Sequence, residues 1–308
     1  MQRYRAYGPW LRRRFGTRVY KVSVDGGFTC PNRDGALGWG GCTYCANDSF
    51  RPETTDVRKT VEEQLADGIS YLSRRYDAER FIVYWQNYSN TYAPADELLE
   101  MFSAALRADS RIVGMAIGTR ADCIENDKLE MLRLLADKHY ICMEYGLESI
   151  YDETLQKVNR CHDVECFIEA VDRTRKLELP VCAHVILGFP HESREERLAY
   201  AQVLNQLKPE FVKLHHLHIV KGTALERDYA NSPFPVFGFH EWVEFICDFL
   251  EQLNPEIILQ RLFGWAPDTH LVAPRWRKSK ADILRAILRE LEQRDSWQGK
   301  AIGAARPS

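Results

Sequence analysis

The feature that most constrains the fold is a regular alternation of short apolar runs with segments of helical periodicity. Apolar runs typical of strands occupy residues 19–24, 81–85, 112–117, 140–144, 181–187 and 211–215. Between them, apolar residues recur at the three- and four-residue spacing of helices. Six strand–helix units with short connections predict parallel strands joined by crossover helices, and therefore an α/β fold. This number of strands suits an open or partial barrel, although the pattern alone is also compatible with an open sheet.

Three cysteines lie in one glycine-rich loop directly after the first predicted strand, at Cys30, Cys42 and Cys45. Thiolates select zinc or iron–sulfur clusters. A structural zinc site needs a fourth ligand, whereas a four-iron cluster held by three cysteines keeps one iron free for a small molecule. The spacing alone leaves both kinds of site open. Three ordinary buried thiols are disfavoured, because a polar, glycine-rich loop offers little core.

Eight motifs follow one another in an order that is specific when they are taken together. They lie at residues 25–35, 41–45, 90–94, 118–123, 144–149, 159–162, 184–190 and 214–223. On these motifs the chain resembles, over residues 4–280, the radical S-adenosylmethionine (SAM) superfamily and, more closely, its YhcC/YtqA-like family. That family is itself similar to the Elongator catalytic subunit and to coproporphyrinogen dehydrogenase.

The resemblance implies a partial (β/α)6 TIM-like radical SAM barrel with a small C-terminal extension. It also implies that Cys30, Cys42 and Cys45 ligate a [4Fe–4S] cluster, whose open iron takes the amino and carboxylate groups of SAM. One electron from the cluster would cleave SAM to methionine and a 5′-deoxyadenosyl radical, which abstracts hydrogen from the substrate. The gap between Cys30 and Cys42 is wider than the commonest superfamily spacing, and a long first gap suits this branch.

Polar residues near the predicted ends of strands two and four are candidate SAM contacts. Gln86 or Asn90 would supply an oxygen to the SAM ammonium group, although Asn90 fits a turn that caps the next helix equally well. Glu144, Gly146 and Glu148 share one face of strand four. The resemblance implies contacts from this patch to the ribose or the methionine part of SAM.

Arg160, Arg120 and Gly188 complete the set of candidate SAM contacts. Arg160 is expected to pair with the SAM carboxylate, because a guanidinium binds a carboxylate through two hydrogen bonds; a surface arginine in a connection is the alternative. Arg120 is expected near the mouth of the site, on the SAM carboxylate or an anionic substrate, unless it is a solvated loop residue. The backbone at Gly188 is expected to approach adenine.

The remaining cysteines and the histidines of strand six give weaker signals. No Cys-x2-Cys pair occurs outside the loop, so no auxiliary cluster is expected. His215, His216 and His218 invite a metal site, but alternation places His215 on the face opposite to the other two. A second metal site is therefore only a minor alternative.

The chain divides into four predicted segments. Residues 1–18 form a basic N-terminal arm, 19–223 the core barrel, 224–294 a C-terminal extension and 295–308 a flexible tail. Residues 1–24 carry seven basic residues and no acid, interleaved with aromatics, and residues 275–280 form a second basic-aromatic cluster. Such interleaving suits RNA contact, and a solvated basic helix face is the alternative.

Composition indicates an enzyme of the cytoplasm. The 308 residues carry a net charge of −3, no run reaches the length of a membrane helix, and no signal peptide is expected. The leading hypothesis is a radical SAM enzyme in tRNA wobble-uridine modification, with SAM, tRNA and an electron donor such as flavodoxin or ferredoxin as partners. The alternatives are a small-molecule or peptide substrate for the same chemistry, or a noncatalytic zinc-stabilised RNA-binding module.

Overall fold

The computed structural model describes residues 2–46 and 55–307. Seven parallel strands form one sheet in the order β1-β2-β3-β4-β5-β6-β8, and β7 pairs with β9 in a separate antiparallel ribbon. The strands are β1 (Val19–Val24), β2 (Arg80–Trp85), β3 (Ile112–Thr119), β4 (Tyr140–Glu148), β5 (Val181–Leu187), β6 (Phe211–His216), β7 (Ile219–Val220), β8 (Ile258–Arg261) and β9 (Leu271–Ala273).

Most of the helices connect successive strands and cover the outer face of the sheet. They are α1 (Tyr7–Phe15), α2 (Val61–Tyr76), α3 (Ala95–Arg107), α4 (Asn126–Ala136), α5 (Asp152–Lys157), α6 (Val164–Lys176), α7 (Arg194–Leu207), α8 (Ala224–Asn231), α9 (Phe239–Gln252) and α10 (Lys280–Gln293). Capping boxes fix the starts of α2 and α7, where Thr60 and Ser193 accept hydrogen bonds from the backbone N–H groups of Glu63 and Glu196.

The sheet curls into a partial barrel, which confirms the predicted fold class. Its two outermost strands face each other across the open side, since Lys21 Nζ of β1 donates to Gln260 Oε1 of β8 over 2.8 Å. The seventh strand, β8, comes from the segment predicted to be a separate extension. It joins the sheet because Ile258 and Leu259 are buried against the two faces of the same barrel.

Apolar side chains form a core on each face of the sheet. On the outer face, Trp85, Phe102 and Phe167 are fully buried between strands and helices. On the inner face, Tyr7 and Leu11 of α1 pack with buried side chains that point into the barrel, including Phe211. Helix α1 thereby fills the amino end of the barrel and leaves the carboxyl ends of the strands open.

The N-terminal segment packs against the barrel. The backbone N–H of Leu259 donates to the Arg5 carbonyl over 2.8 Å, and Ala6 forms a parallel bridge with Leu259, so the segment is bound to β8 before α1 begins. Tyr7 and Trp10 pack this helix against Phe211, as in the alternative in which aromatic residues anchor a solvated basic helix face on the barrel. Arg12 and Arg13 remain exposed on its far face.

The tail from Asp295 also differs from its prediction. Gln298 is fully buried and donates to the carbonyls of Asn254 and Ile257, each over 2.8 Å. Its Oε1 accepts the backbone N–H of Arg5 over 2.9 Å. These polar contacts anchor the tail, and they leave no periodic apolar signal in the sequence. Among the described residues, no helix is both long enough and apolar enough to cross a membrane.

Candidate active site

The three loop cysteines lie at the carboxyl end of β1, at the open rim of the barrel. Cys42 is buried, and Cys30 and Cys45 are half-buried. The turn that carries them is closed locally, since the N–H of Cys45 donates to the Cys42 carbonyl over 3.0 Å. A second contact joins the loop to the chain after α5, where the N–H of Thr43 donates to the Val158 carbonyl over 2.9 Å.

The glycines of the loop are needed for this path. Gly41 has a φ of +83°, a region that favours glycine, and a Cβ at this position would lie 2.8 Å from Nε of Arg33. The Arg33 guanidinium instead packs along the backbone and donates to the Cys45 carbonyl over 2.7 Å. A compact loop results, in which three thiols share one end of the barrel.

The environment of the thiols suits a bound cation. Burial raises the pKa of the Cys45 thiol, and the neighbouring sulfur of Cys42 raises it further, since gathered thiolates repel one another. Donors are already directed at Cys42, whose Sγ lies 3.6 Å from Asn32 Nδ2 and 3.9 Å from Arg160 Nη1. Such donors stabilise a thiolate, and a metal centre would supply the remaining positive charge.

In the structure as described, the three loop thiols do not all lie within the short mutual distance that ligands of one ion need. Tetrahedral zinc brings its sulfur ligands to within about 4 Å of one another. Within the described residues, the group of three possible ligands whose atoms all lie within 4.8 Å is Glu144, Cys182 and His184, and the loop cysteines do not form such a group. Thiolates that bind separate irons of a cluster stand farther apart than ligands that share one ion.

Arg160 reaches the loop from the chain that follows α5. Its Nη2 donates to the Gly146 carbonyl over 2.8 Å and lies 4.0 Å from Glu148 Oε1. A Cβ on residue 146 would lie 2.2 Å from that Glu148 oxygen and 2.7 Å from Arg160 Nη2. Gly146 therefore makes room for these two side chains, and Arg160 contacts a cysteine sulfur as well as the end of β4.

Arg120 contacts the segment that carries Arg160. It pairs with Asp122 over 2.6 Å and donates to the Arg160 carbonyl over 2.9 Å. Arg120 is only 3% exposed. It is therefore a buried support for the Arg160 segment, and its Nη1 has no hydrogen-bond partner among the described residues.

Gln86, Asn90 and Glu148 were expected near SAM, and they lie on the same side of the barrel mouth. Gln86 and Glu148 line a cavity together with Tyr44 and Cys45. Asn90 is fully buried and donates to the Gly118 carbonyl over 2.6 Å, so its side chain joins two strand ends. Its Oδ1 has no partner among the described residues. Burial raises the pKa of the Glu148 carboxyl, which Arg160 partly offsets.

Gly188 and Glu144, two further candidate SAM contacts, have close protein neighbours. Gly188 has a φ of +104°, and a Cβ there would lie 2.9 Å from the Phe237 ring, so its open side faces an aromatic side chain. Both carboxylate oxygens of Glu144 are occupied, one by Lys21 at 2.5 Å and the other by Lys213 and by His184. Glu144 therefore belongs to a charged layer inside the barrel, where Lys21, Lys213 and His184 contact its carboxylate.

The charged layer also argues against a metal ion bound by Glu144, Cys182 and His184. Burial alone would raise the pKa of Glu144, but Lys21 and Lys213 lower it well below its usual value. Two ammonium groups already neutralise this carboxylate and would repel a metal cation. His184 has its pKa lowered to about 4, first by burial and then by Lys213, so it is neutral at pH 7.

Four residues near the cysteine loop adopt left-handed backbone conformations that are uncommon outside glycine. Tyr88, Glu148, Asn159 and Cys161 have φ values of 61°, 64°, 55° and 62°. They follow β2, end β4 and flank Arg160. Strained backbone of this kind is typical of functional sites, where surrounding contacts hold it in place.

A cavity of about 1080 Å³ opens between the cysteine loop and β8. At one end it is lined by Tyr44, Cys45 and Glu148. At the other end, side chains that follow β6 and β8 line it: His215, His216, His218, Arg261, Trp265 and Lys280. A cavity of this size next to the loop can take a SAM-sized molecule and a second ligand.

Sequence reasoning missed several of these residues. Lys213 lies in the apolar run of β6, and Lys21 was counted only among the basic residues of the amino terminus. Each is a charged residue on the inward face of a strand. The alternation of side chains along the strand could have shown that these lysines point into the barrel. Arg261 lies in a short strand predicted for residues 257–261 of the C-terminal extension, but that strand was not expected to join the barrel.

Comparison with known proteins places the chain in a family. Residues 30–204 match the family model of the Radical SAM superfamily, and residues 209–293 match the Radical_SAM C-terminal domain. The chain is 36% identical over 302 residues to the uncharacterized protein YtqA of Bacillus subtilis, which covers 97% of this chain and 92% of that protein.

Two further likenesses extend this result. Over 143 residues, 45% of this chain and 26% of the other, the chain is 30% identical to the tRNA uridine(34) acetyltransferase of Methanocaldococcus infernus. Its fold is similar to the structure of the archaeal Elp3 of M. infernus, with a TM-score of 0.68 and 18% identity over 91% of this chain and 64% of that chain. The curled parallel sheet, the family match and the relative of nearly full length agree, and the chain belongs to the radical SAM superfamily.

Proposed function

We propose that Cys30, Cys42 and Cys45 hold the [4Fe–4S] cluster with which this radical SAM enzyme cleaves SAM, and that its substrate is the wobble uridine of a tRNA. The superfamily uses a [4Fe–4S] cluster and SAM, and these are the cofactors of the enzyme. The observation that carries the ligand assignment is the gathering of three thiols at the carboxyl end of β1, with Asn32 and Arg160 directed at the Cys42 sulfur.

Held by these cysteines, a [4Fe–4S] cluster would supply the electron for reductive cleavage of SAM, the source of a radical that takes a hydrogen atom from the substrate. The protein residues position the reactants and exclude water. Asn32 and Arg160 would stabilise charge on the Cys42 sulfur, which is buried from solvent.

The SAM site is proposed beside the loop, where polar groups lack partners. Asn90 Oδ1, Arg160 Nε and Tyr44 Oη are buried and have no hydrogen-bond partner among the described residues. Gln86 and Glu148 line the adjoining cavity. Oxygens of Asn90 and Glu148 suit the ammonium group of SAM, and the free edge of Arg160 suits its carboxylate.

The tRNA substrate is supported by a relative that is named for acting on tRNA uridine 34, with which the chain shares 143 aligned residues. The basic residues of α1 do not add to this support, because Arg12 and Arg13 lie at the amino end of the barrel, away from the cysteine loop. Trp276 does not add to it either, since its ring stacks on His216 at 4.0 Å and its Nε1 donates to the Phe237 carbonyl.

An external one-electron donor, such as flavodoxin or ferredoxin, is part of the proposal. The loop that carries the cysteines exposes Leu37 and Trp39, which are 54% and 77% accessible. Exposed apolar side chains close to a cluster suit a transient protein contact. The nine thiols and this reductant would require a reducing compartment, for which we propose the cytoplasm.

Iron analysis tests the ligand assignment. Anaerobically reconstituted wild-type protein should be brown and contain about four irons per chain. Cys30→Ala, Cys42→Ala and Cys45→Ala should each lose the cluster absorption, whereas the control Cys166→Ala, on α6, should retain it. A full cluster in Cys42→Ala would defeat the assignment, and a colourless protein with one zinc ion would favour the noncatalytic RNA-binding module.

Nucleoside analysis tests the substrate. Total tRNA from a strain that lacks the gene should lose one modified wobble nucleoside, which the wild-type gene should restore and the Cys42→Ala gene should not. An unchanged nucleoside profile would contradict a tRNA substrate and favour a small-molecule or peptide substrate for the same radical chemistry.

A further inference from the structure

Positive charge exceeds negative charge on the side of the cavity formed by β6 and β8. Arg261 and Lys280 both line the cavity there, and neither forms an ion pair with a carboxylate of the described residues. The Nη1 atom of Arg261 lies 3.3 Å from Nε2 of His215, a neutral acceptor. Glu148 is the carboxylate among the described lining residues, and it lies at the cysteine end, 4.0 Å from Arg160.

The layer beneath the cavity does not supply the missing negative charge. Glu144 is matched there by two lysines, Lys21 and Lys213, which leaves this layer with an excess of one positive charge. The histidines that line the cavity carry no negative charge. His218 is neutral at pH 7, because burial lowers its pKa to about 4. Among the described residues, the β6–β8 side therefore carries positive charge that no carboxylate balances, and a bound anion would neutralise it.

Arg261 and Lys280 are close enough to influence each other. The pKa of the Lys280 ammonium is lowered, first by burial and then by the charge of Arg261. Like charges held near one another without a counter-ion destabilise the empty site, and an anion between them would relieve that repulsion.

Flat aromatic surfaces border the same end of the cavity. Trp265 is 48% exposed and Tyr71 is 45% exposed, and both line the cavity mouth. The Lys280 ammonium lies 4.2 Å from the centroid of the Trp265 ring. Exposed aromatic rings beside cations are the usual platform for a nucleobase whose phosphate is bound nearby.

We propose that this cavity binds a phosphorylated nucleoside, with its phosphate between Arg261 and Lys280 and its base against Trp265 or Tyr71. A phosphate group carries up to two negative charges, which matches the two unpaired cations, and a guanidinium can bind two of its oxygens at once. The inference rests on the proposed function, because it names the substrate class for the cavity beside the SAM site.

Equilibrium dialysis against cluster-loaded, oxidised protein tests the site without turnover. The probes are uridine 5′-monophosphate, uridine, inorganic phosphate and a pentauridylate RNA, at low salt and with saturating SAM. A pyrimidine is chosen because an adenine nucleotide would imitate SAM. The test variant is Arg261→Gln/Lys280→Gln. The matched control is Arg12→Gln/Arg13→Gln, which removes the same charge from exposed residues at the opposite end of the barrel.

The proposal expects uridine 5′-monophosphate to bind at least tenfold more tightly than uridine, and the test variant to lose that preference while the control retains it. Arg261→Lys, which keeps the charge, should retain part of it. Equal binding of nucleotide and nucleoside, equal loss in the control, or displacement of the nucleotide by SAM would overturn the proposal. Tighter binding of the pentamer than of the monophosphate would identify RNA as the source, and the reverse a free nucleotide.

Failure of this site and failure of the proposed function give different results. If the protein binds the nucleotide through Arg261 but holds no cluster, the radical SAM assignment of the three cysteines falls and the phosphate site stands. If the protein cleaves SAM but shows no preference for the nucleotide, the phosphate site falls and the radical chemistry stands.

Discussion

At the scale of single residues, Arg160 is placed to act on both the Cys42 sulfur and SAM, whereas the sequence suggested only the contact with SAM. It was expected to bind the SAM carboxylate, and its Nη1 atom in fact lies 3.9 Å from the Cys42 sulfur. Its Nε remains without a partner among the described residues. One side chain can thus stabilise charge on the cluster ligand and still offer an edge to SAM.

Replacing Arg160 should therefore shift the potential of the cluster. Arg160→Ala removes a positive charge that favours the more negative, reduced cluster, so the reduction potential should fall. We expect a change on the order of 50 mV, since 59 mV is a tenfold change in a one-electron equilibrium. Potentiometric titration followed by electron paramagnetic resonance would measure it. Arg173→Ala, on α6, is the control, and an unchanged potential in Arg160→Ala would show that Arg160 does not act on the cluster.

Glu144 is the residue on which the inner charged layer depends. Glu144→Gln would leave Lys21 and Lys213 buried without a counter-charge, and removing one partner of a buried pair typically costs about 3–5 kcal/mol. Urea denaturation should show this loss. Adding Lys213→Met should recover part of it, because one unpaired charge is then removed.

The matched control for this prediction is Glu153→Gln, which breaks the exposed pair with Lys157 on α5. It should change the free energy of unfolding far less than Glu144→Gln does, because solvent screens the exposed pair. Equal effects of Glu144→Gln and Glu153→Gln would contradict a buried charged layer.

At the scale of elements, α1 acts as the plug of the barrel. Leu11 is 4% exposed inside the inner core. Leu11→Ala should therefore cost about 2–5 kcal/mol of unfolding free energy, whereas Arg12→Ala, on the exposed face of the same helix, should change it by about 0.5 kcal/mol or less. Thermal denaturation of the two variants would measure the difference, and a small effect of Leu11→Ala would mean that α1 is a detachable arm.

The same element shows what sequence alone could and could not predict. The parallel sheet and its six core strands follow from local periodicity, which is why their positions were found correctly. The places of α1 and β8 depend on contacts between residues about 250 apart, such as the Leu259 N–H with the Arg5 carbonyl. Periodicity carries no information on such pairings.

The candidate site divides in the same way. The cysteine loop is a local motif, and the sequence located it. The partners of Glu144, and the place of Arg261 on the cavity, arise only when separate strands are brought side by side, and the sequence missed them.

At the scale of the whole molecule, buried histidines should make stability depend on pH. The folded-state pKa values of His184 and His218 are lowered to about 4 from an unfolded value near 6.5, chiefly by burial. The unfolded chain therefore binds more protons between these limits. The stability that the neutral histidines contribute is present above about pH 6.5 and is lost as the pH falls towards 4.

Each such histidine should contribute a slope of about 1.4 kcal/mol per pH unit within that window. His218→Asn should reduce the slope of unfolding free energy against pH by the contribution of one histidine. His240→Asn, at an exposed position of α9, is the matched control. A profile of His218→Asn that runs parallel to that of the wild type would contradict the depressed pKa of His218.

The central claim is that three thiols on one loop hold a cluster that cleaves SAM. The most direct measurement is the formation of 5′-deoxyadenosine by anaerobic, dithionite-reduced protein supplied with SAM, compared with Cys42→Ala and Cys166→Ala. The account predicts 5′-deoxyadenosine from the wild type and from Cys166→Ala, and none from Cys42→Ala. A wild-type protein that carries a complete reduced cluster yet forms no 5′-deoxyadenosine, or a Cys42→Ala variant that forms as much as the wild type, would contradict it.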